Sequence, residues 1–134
     1  MKRYIYKQLL AWKNEKEHKP LILNGARQVG KTYILREFGR NEYKRMAFFS
    51  LDRDQKALEI FNKGGRATDM LMALSAICHE DISPHDTLVV LDEIQNCPKA
   101  LEALKFFCEE TPEIDIVVAG SLLGLSYIAV CHIP

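Results

Sequence analysis

The sequence predicts an α/β fold, a three-layer sandwich in which a mostly parallel sheet is covered by helices on both faces. Two observations predict it. Short runs of apolar residues at 21–23, 45–51, 87–91 and 114–119 alternate with stretches whose apolar residues recur at helical spacing. Between the first run and the helix after it lies a glycine-bounded loop, Gly25-Ala26-Arg27-Gln28-Val29-Gly30-Lys31-Thr32. A chain of 134 residues fits one domain. At that size folding buries roughly two-thirds of the surface of the extended chain, enough for a core. The hydrophobic share of 48% and charged share of 27% are those of an ordinary globular protein.

Residues 3–17 read as a helix with Tyr6, Leu9, Leu10 and Trp12 along one stripe and Lys7, Lys13 and Lys16 on the wet side. Pro20 ends it. Leu21-Ile22-Leu23 suits a buried parallel strand. Helical spacing resumes over 31–38, with Ile34, Leu35 and Phe38 inward and Gly39 as a C-terminal stop. A second strand is expected at 45–51 and a helix over 52–61, broken by Gly64-Gly65. Thr68 has the chemistry of a helix cap for 69–79. The β-rich run 87–91 ends in Asp92 and Glu93, and Pro98 suits the first turn of a helix carrying Leu101, Leu104, Phe107 and Cys108. The last strand, 114–119, closes on Gly120-Ser121.

Cys78, Cys97, Cys108 and Cys131 form no Cys-x-x-Cys pair, so reduced cysteines acting as small hydrophobes are expected rather than a zinc site or disulfide framework. The four histidines are equally scattered. Net charge is zero but divided. Residues 1–45 hold twelve Lys and Arg against four acids, a balance of +8, and residues 46–134 hold six against fourteen, a balance of −8. Such a split can mark a nucleic-acid surface. A solvated basic helix face leading into an anion site accounts for it as well. No apolar run approaches the ~20 residues that span a bilayer. Met1-Lys2-Arg3-Tyr4-Ile5-Tyr6 lacks a signal-peptide pattern. A cytoplasmic location without membrane contact is the expectation.

The loop at 25–32 matches Gly-x-x-x-x-Gly-Lys-Thr in full and sits where the mechanism of a phosphate loop needs it, between a strand and a helix. Its glycines let the backbone wrap phosphate oxygens, and successive N–H groups with the helix N-terminus face the anion. Lys31 is expected to reach the β- and γ-phosphates and the Thr32 hydroxyl to ligate magnesium. Ligands of open α/β sheets bind at the C-terminal ends of strands. Asp92 is therefore expected near the magnesium, and Glu93 is expected to activate the attacking water. Ser121, at the end of the last strand, can touch the γ-phosphate or that water. A plain turn residue explains it equally. A strand (45–51) separates the phosphate-loop strand from the Asp-Glu strand along the chain. Together with Glu93, this looks like the P-loop NTPase branch that has an inserted strand and a catalytic glutamate.

Three stretches carry a more specific resemblance: Leu-Ile-Leu-Asn-Gly-Ala-Arg-Gln-Val-Gly-Lys-Thr, Leu-Asp-Glu-Ile-Gln-Asn-Cys-Pro and Val-Val-Ala-Gly-Ser-Leu-Leu-Gly. They are similar, in order and spacing, to AAA-type ATPases of bacteria and archaea in which an N-terminal ATPase domain precedes a poorly characterised C-terminal domain. The resemblance covers residues 3 to about 124. It implies ATP and Mg2+ as ligands, Gly30, Lys31 and Thr32 on phosphate and magnesium, Asp92 on magnesium, Glu93 as base and Ser121 as sensor. Arg27 and Gln28 match the family's loop as well. The implied organisation is an N-terminal helix (1–18), an ATPase core (19–124) and an atypical tail (125–134). The tail is too short for the crossover a further parallel strand needs, so the sheet is expected to be incomplete at its C-terminal end and the chain shortened. Slow or absent turnover without an arginine from elsewhere, such as a protein partner or a second copy, is the accompanying expectation. Two other functions stay open. One is a nucleotide-binding module without turnover, and the weaker one is a nucleic-acid protein using the basic first third.

Overall fold

The computed structural model describes residues 2–15, 20–24 and 29–120. Its elements follow the order α1 (Lys2–Asn14), β1 (Leu21–Asn24), α2 (Val29–Glu42), β2 (Arg45–Ser50), α3 (Gln55–Lys63), α4 (Ala67–Cys78), β3 (Thr87–Asp92), α5 (Pro98–Glu110) and β4 (Asp115–Gly120). A 3-10 turn, Ile94–Asn96, joins β3 to α5. The four strands form one parallel sheet in the order β1-β4-β3-β2. The strand beside β1 is thus the last in sequence, not the next.

Side chains of a strand alternate between faces, so a strand covered on both sides must be apolar throughout. In β3, Leu88 and Val90 point to one core and Val89 and Leu91 to the other. The same alternation places Val117 and Ala119 of β4 against α1 and α2, with Leu9, Trp12, Ile34, Leu35 and Phe38. Ile116 and Val118 face α3, α4 and α5, where Phe61 and Phe107 meet edge to face at 6.3 Å. The three-layer α/β reading therefore holds.

Several local expectations are corrected. Gly39 does not stop its helix, because α2 continues to Glu42. A Cβ there would overlap Met46 Sδ and lie 3.4 Å from Leu88, so the glycine lets α2 settle close onto β2 and β3. Thr68 lies inside α4. Arg66 occupies the cap position without a side-chain bond, and the Ala67 N–H is bonded by Glu110 of α5 at 3.0 Å. Asp54 instead supplies the true side-chain cap, accepting from the Ala57 N–H at the start of α3. Cys78 and Cys97 are free thiols, in line with the expectation of reduced cysteines at those two positions.

Part of the basic excess is used internally. The Arg36 guanidinium lies 4.0 Å from the Phe48 ring centre and Lys13 Nζ 4.9 Å from that of Tyr43. No helix among the described residues is long and apolar enough to cross a membrane.

At the N-terminal end of β4 the buried Asp115 accepts a 2.6 Å hydrogen bond from the Tyr43 hydroxyl. Burial, and then this bond to Asp115, push the Tyr43 phenol well above its ordinary range, so it stays the protonated donor. Tyr43→Phe withdraws that donor from a buried carboxylate oxygen. The expected loss is about 1–3 kcal/mol of stability, read as a lowered urea midpoint. An unchanged midpoint would show that the bond contributes nothing.

Candidate functional site

Parallel strands in register bring their C-terminal ends to one edge of the sheet. Asn24 of β1 pairs with Gly120 of β4, and Ser50 of β2 pairs with Asp92 of β3. That edge also receives the start of α2, whose first residues, Val29, Gly30, Lys31 and Thr32, form its N-terminal turn. The first backbone N–H groups of a helix have no partner within it and carry the positive end of its dipole.

The first turn of α2 lies beside the end of β3, so Thr32, which follows β1 in the chain, meets Asp92, which ends β3. The Thr32 hydroxyl donates to Asp92 Oδ2 at 3.2 Å. The other carboxylate oxygen, Oδ1, accepts the Glu93 N–H at 2.9 Å. Two of the expected site residues, sixty positions apart, are thus in contact.

Glu93 has left-handed backbone angles, φ 55° and ψ 47°. Such angles cost a residue with a side chain on the order of 1–2 kcal/mol, and residues held in them cluster at functional sites. They turn the chain sharply out of β3 into the 3-10 turn. There Gln95 Nε2 donates to Glu93 Oε1 at 2.8 Å. Beside them, at the end of β2, the Ser50 hydroxyl donates to Asp52 Oδ1 at 2.6 Å.

Gly25, Ala26, Arg27, Gln28 and Ser121 lie outside the described residues, as does the 125–134 tail. Gln95 and the Ser50–Asp52 pair were missed in the sequence. The available signal was position. Ser50 and Asp52 end a strand at the ligand edge, and Gln95 is a polar residue two places after the glutamate.

An AAA domain family model matches residues 17–130. The chain belongs to the AAA domain family. Its fold is also similar to the solved structure of PCH-2 from C. elegans, with a TM-score of 0.57 and 14% identity. That match covers 97% of this chain but 39% of the other, so the chain spans well under half the length of that protein. No curated protein matches the chain. Family and fold make it an ATPase-type nucleotide-binding module.

Electrostatically, this AAA domain holds its edge carboxylate at a cost. Burial raises the Asp92 carboxyl above the ordinary aspartate range. The Glu93 N–H and Thr32 hydroxyl oppose the rise, and the charges of Glu93 and Asp52 add to it. A raised acid binds its proton more tightly folded than unfolded. Above the ordinary aspartate range, and increasingly through the raised folded value, ionised Asp92 therefore subtracts stability. Asn can keep both contacts: its Oδ1 accepts from the Glu93 N–H, and its amide donates to Thr32, whose hydroxyl turns to accept. Asp92→Asn is accordingly expected to stabilise the nucleotide-free chain at pH 7, with the gain shrinking toward pH 4. Thermal midpoints across that range check this, and a variant less stable at pH 7 would contradict it.

Proposed function

We propose that the chain binds ATP with magnesium through residues 25–32 and hydrolyses it, using Glu93 as the base for an attacking water. The observation that supports this most is the 3.2 Å contact between Thr32 and Asp92. It brings two hard oxygen donors together at the sheet edge where the glycine loop ends. Such donors suit magnesium, which takes one or two protein ligands and completes its shell with water and phosphate oxygens. A carboxylate whose ionised form is disfavoured by burial is also one that a cation would relieve. The residues present therefore fit Mg2+, held by Thr32 and Asp92. When bound, magnesium neutralises charge on the phosphate oxygens.

The chain's own groups do the rest. The backbone N–H groups of the loop and of the first turn of α2 bind and orient the phosphates, with Lys31 compensating charge on the β- and γ-oxygens. Glu93 takes a proton from water as the water oxygen bonds to the γ-phosphorus and the bond to the ADP oxygen breaks. Ser121 would orient that water or the γ-phosphate. Arg27 and Gln28 belong to the binding loop. A partner or second copy that supplies an arginine would accelerate the step, by analogy worth 10³–10⁵ on the order-of-magnitude scale of arginine fingers.

Nucleotide affinity and phosphate release, measured for the chain and two variants, test this reading. Lys31→Ala is expected to weaken ATP binding by about tenfold or more. Glu93→Gln is expected to bind ATP normally and to release phosphate about 10²–10⁴ times more slowly. Unchanged affinity in the first variant would remove the nucleotide site. Equal release by wild type and the second would remove Glu93 as base, and tight binding with no release by wild type would leave a binding module.

A further inference from the structure

Glu93 can act as a base only if its carboxylate is held where water arrives. Its backbone does not ensure this by itself. The left-handed turn at Glu93 aims the side chain away from the line of β3, and a glutamate side chain retains three rotatable bonds. Gln95 supplies a restraint. Its amide nitrogen donates to Glu93 Oε1 at 2.8 Å. A carboxylate can only accept, so the nitrogen end of the amide must face Glu93 and the oxygen end must face away.

That oxygen end is closely packed. Gln95 Oε1 lies against Gly120, where a Cβ would overlap it and would stand 2.9 Å from the Ile94 nitrogen. Gly120 has φ 153° and is the last residue of β4. The absence of a side chain at 120 thus leaves room for the Gln95 amide between the ends of β3 and β4. Ile94, between the two polar residues, is fully buried and anchors the turn that carries them.

We propose that Gln95 is a positioning residue for hydrolysis, fixing the orientation of the Glu93 carboxylate through the bond to Oε1. The proposal rests on the reading of Glu93 as the base. Gln95 does not touch substrate. It acts through Glu93 and is itself set in place by the close approach of β4.

Two double-substitution cycles test it. In the first, phosphate release is followed in a single turnover with the chain in excess over ATP, for wild type, Gln95→Met, Glu93→Gln and the double variant. Methionine keeps the length of the side chain and loses the amide. Gln95→Met is expected to slow release by about ten- to a hundredfold, the scale of a misplaced catalytic group, with ATP affinity within about twofold of wild type. In the Glu93→Gln background the same change is expected to add nothing. In the second cycle, urea midpoints of the nucleotide-free chain are compared for Gln95→Met, Glu93→Ala and both together. The pair is expected to lower the midpoint by less than the two single shifts combined.

Additive effects in either cycle would overturn the positioning role while leaving Glu93 as base. A purely structural Gln95 would behave in that way, lowering the midpoint equally in both backgrounds. If Glu93→Gln releases phosphate as fast as wild type, or wild type releases none, the underlying reading of Glu93 fails first and the proposal falls with it.

Discussion

A half-buried carboxylate at the end of a buried strand loses part of its hydration, and groups that come to it replace what is lost. Asp92 is held in this way by the Thr32 hydroxyl on one oxygen and the Glu93 N–H on the other. The rest of the arrangement follows from those two bonds. The first needs the opening turn of α2 to lie at the end of β3, two places across the sheet from β1. The second needs the chain to leave β3 in a left-handed turn. Helix placement and turn geometry therefore share one acceptor.

The arrangement costs stability. Burial disfavours the charged form of Asp92, Asp52 and Glu93 add like charge, and the turn at Glu93 is strained. Sites commonly hold such unfavourable features, which are offset by packing elsewhere. Here the offset lies in two cores on opposite faces of the sheet, one built on Leu9, Trp12 and Phe38, the other on Phe61, Leu74 and Phe107. The cores fix the strands, and the strands fix the edge.

Much of this was legible in the sequence, for identifiable reasons. Strands are written as short, mainly apolar runs, most plainly in β3 and β4, which are covered on both faces, and all four were placed within a residue or two. The loop at 25–32 and the Asp92-Glu93 pair are local patterns, and their meeting follows from a rule about parallel sheets. Illegible features depend on distant partners. Gly39 reads as a helix stop because the same residue type serves both for stopping and for close packing, and only the fold brings Met46 against it. Thr68 reads as a cap, but the N–H nearest that end is bonded by Glu110, forty-three positions away. Gln95 carries no pattern of its own, since its partner is reached only through the turn that precedes it.

Gly39 has a wider meaning for the molecule. It sits seven residues beyond Thr32 on the same rigid rod, about 10.5 Å along the axis. There α2 is seated close over the Met46 side chain, whose flexible thioether end is the first thing that added bulk would meet. Bulk larger than that side chain can make room for would tilt the helix, and a stiff helix carries a tilt to its other end, where Thr32 meets Asp92. In a survey of tolerated substitutions, small residues at 39 would pass and bulky ones would be felt at the far end of the helix.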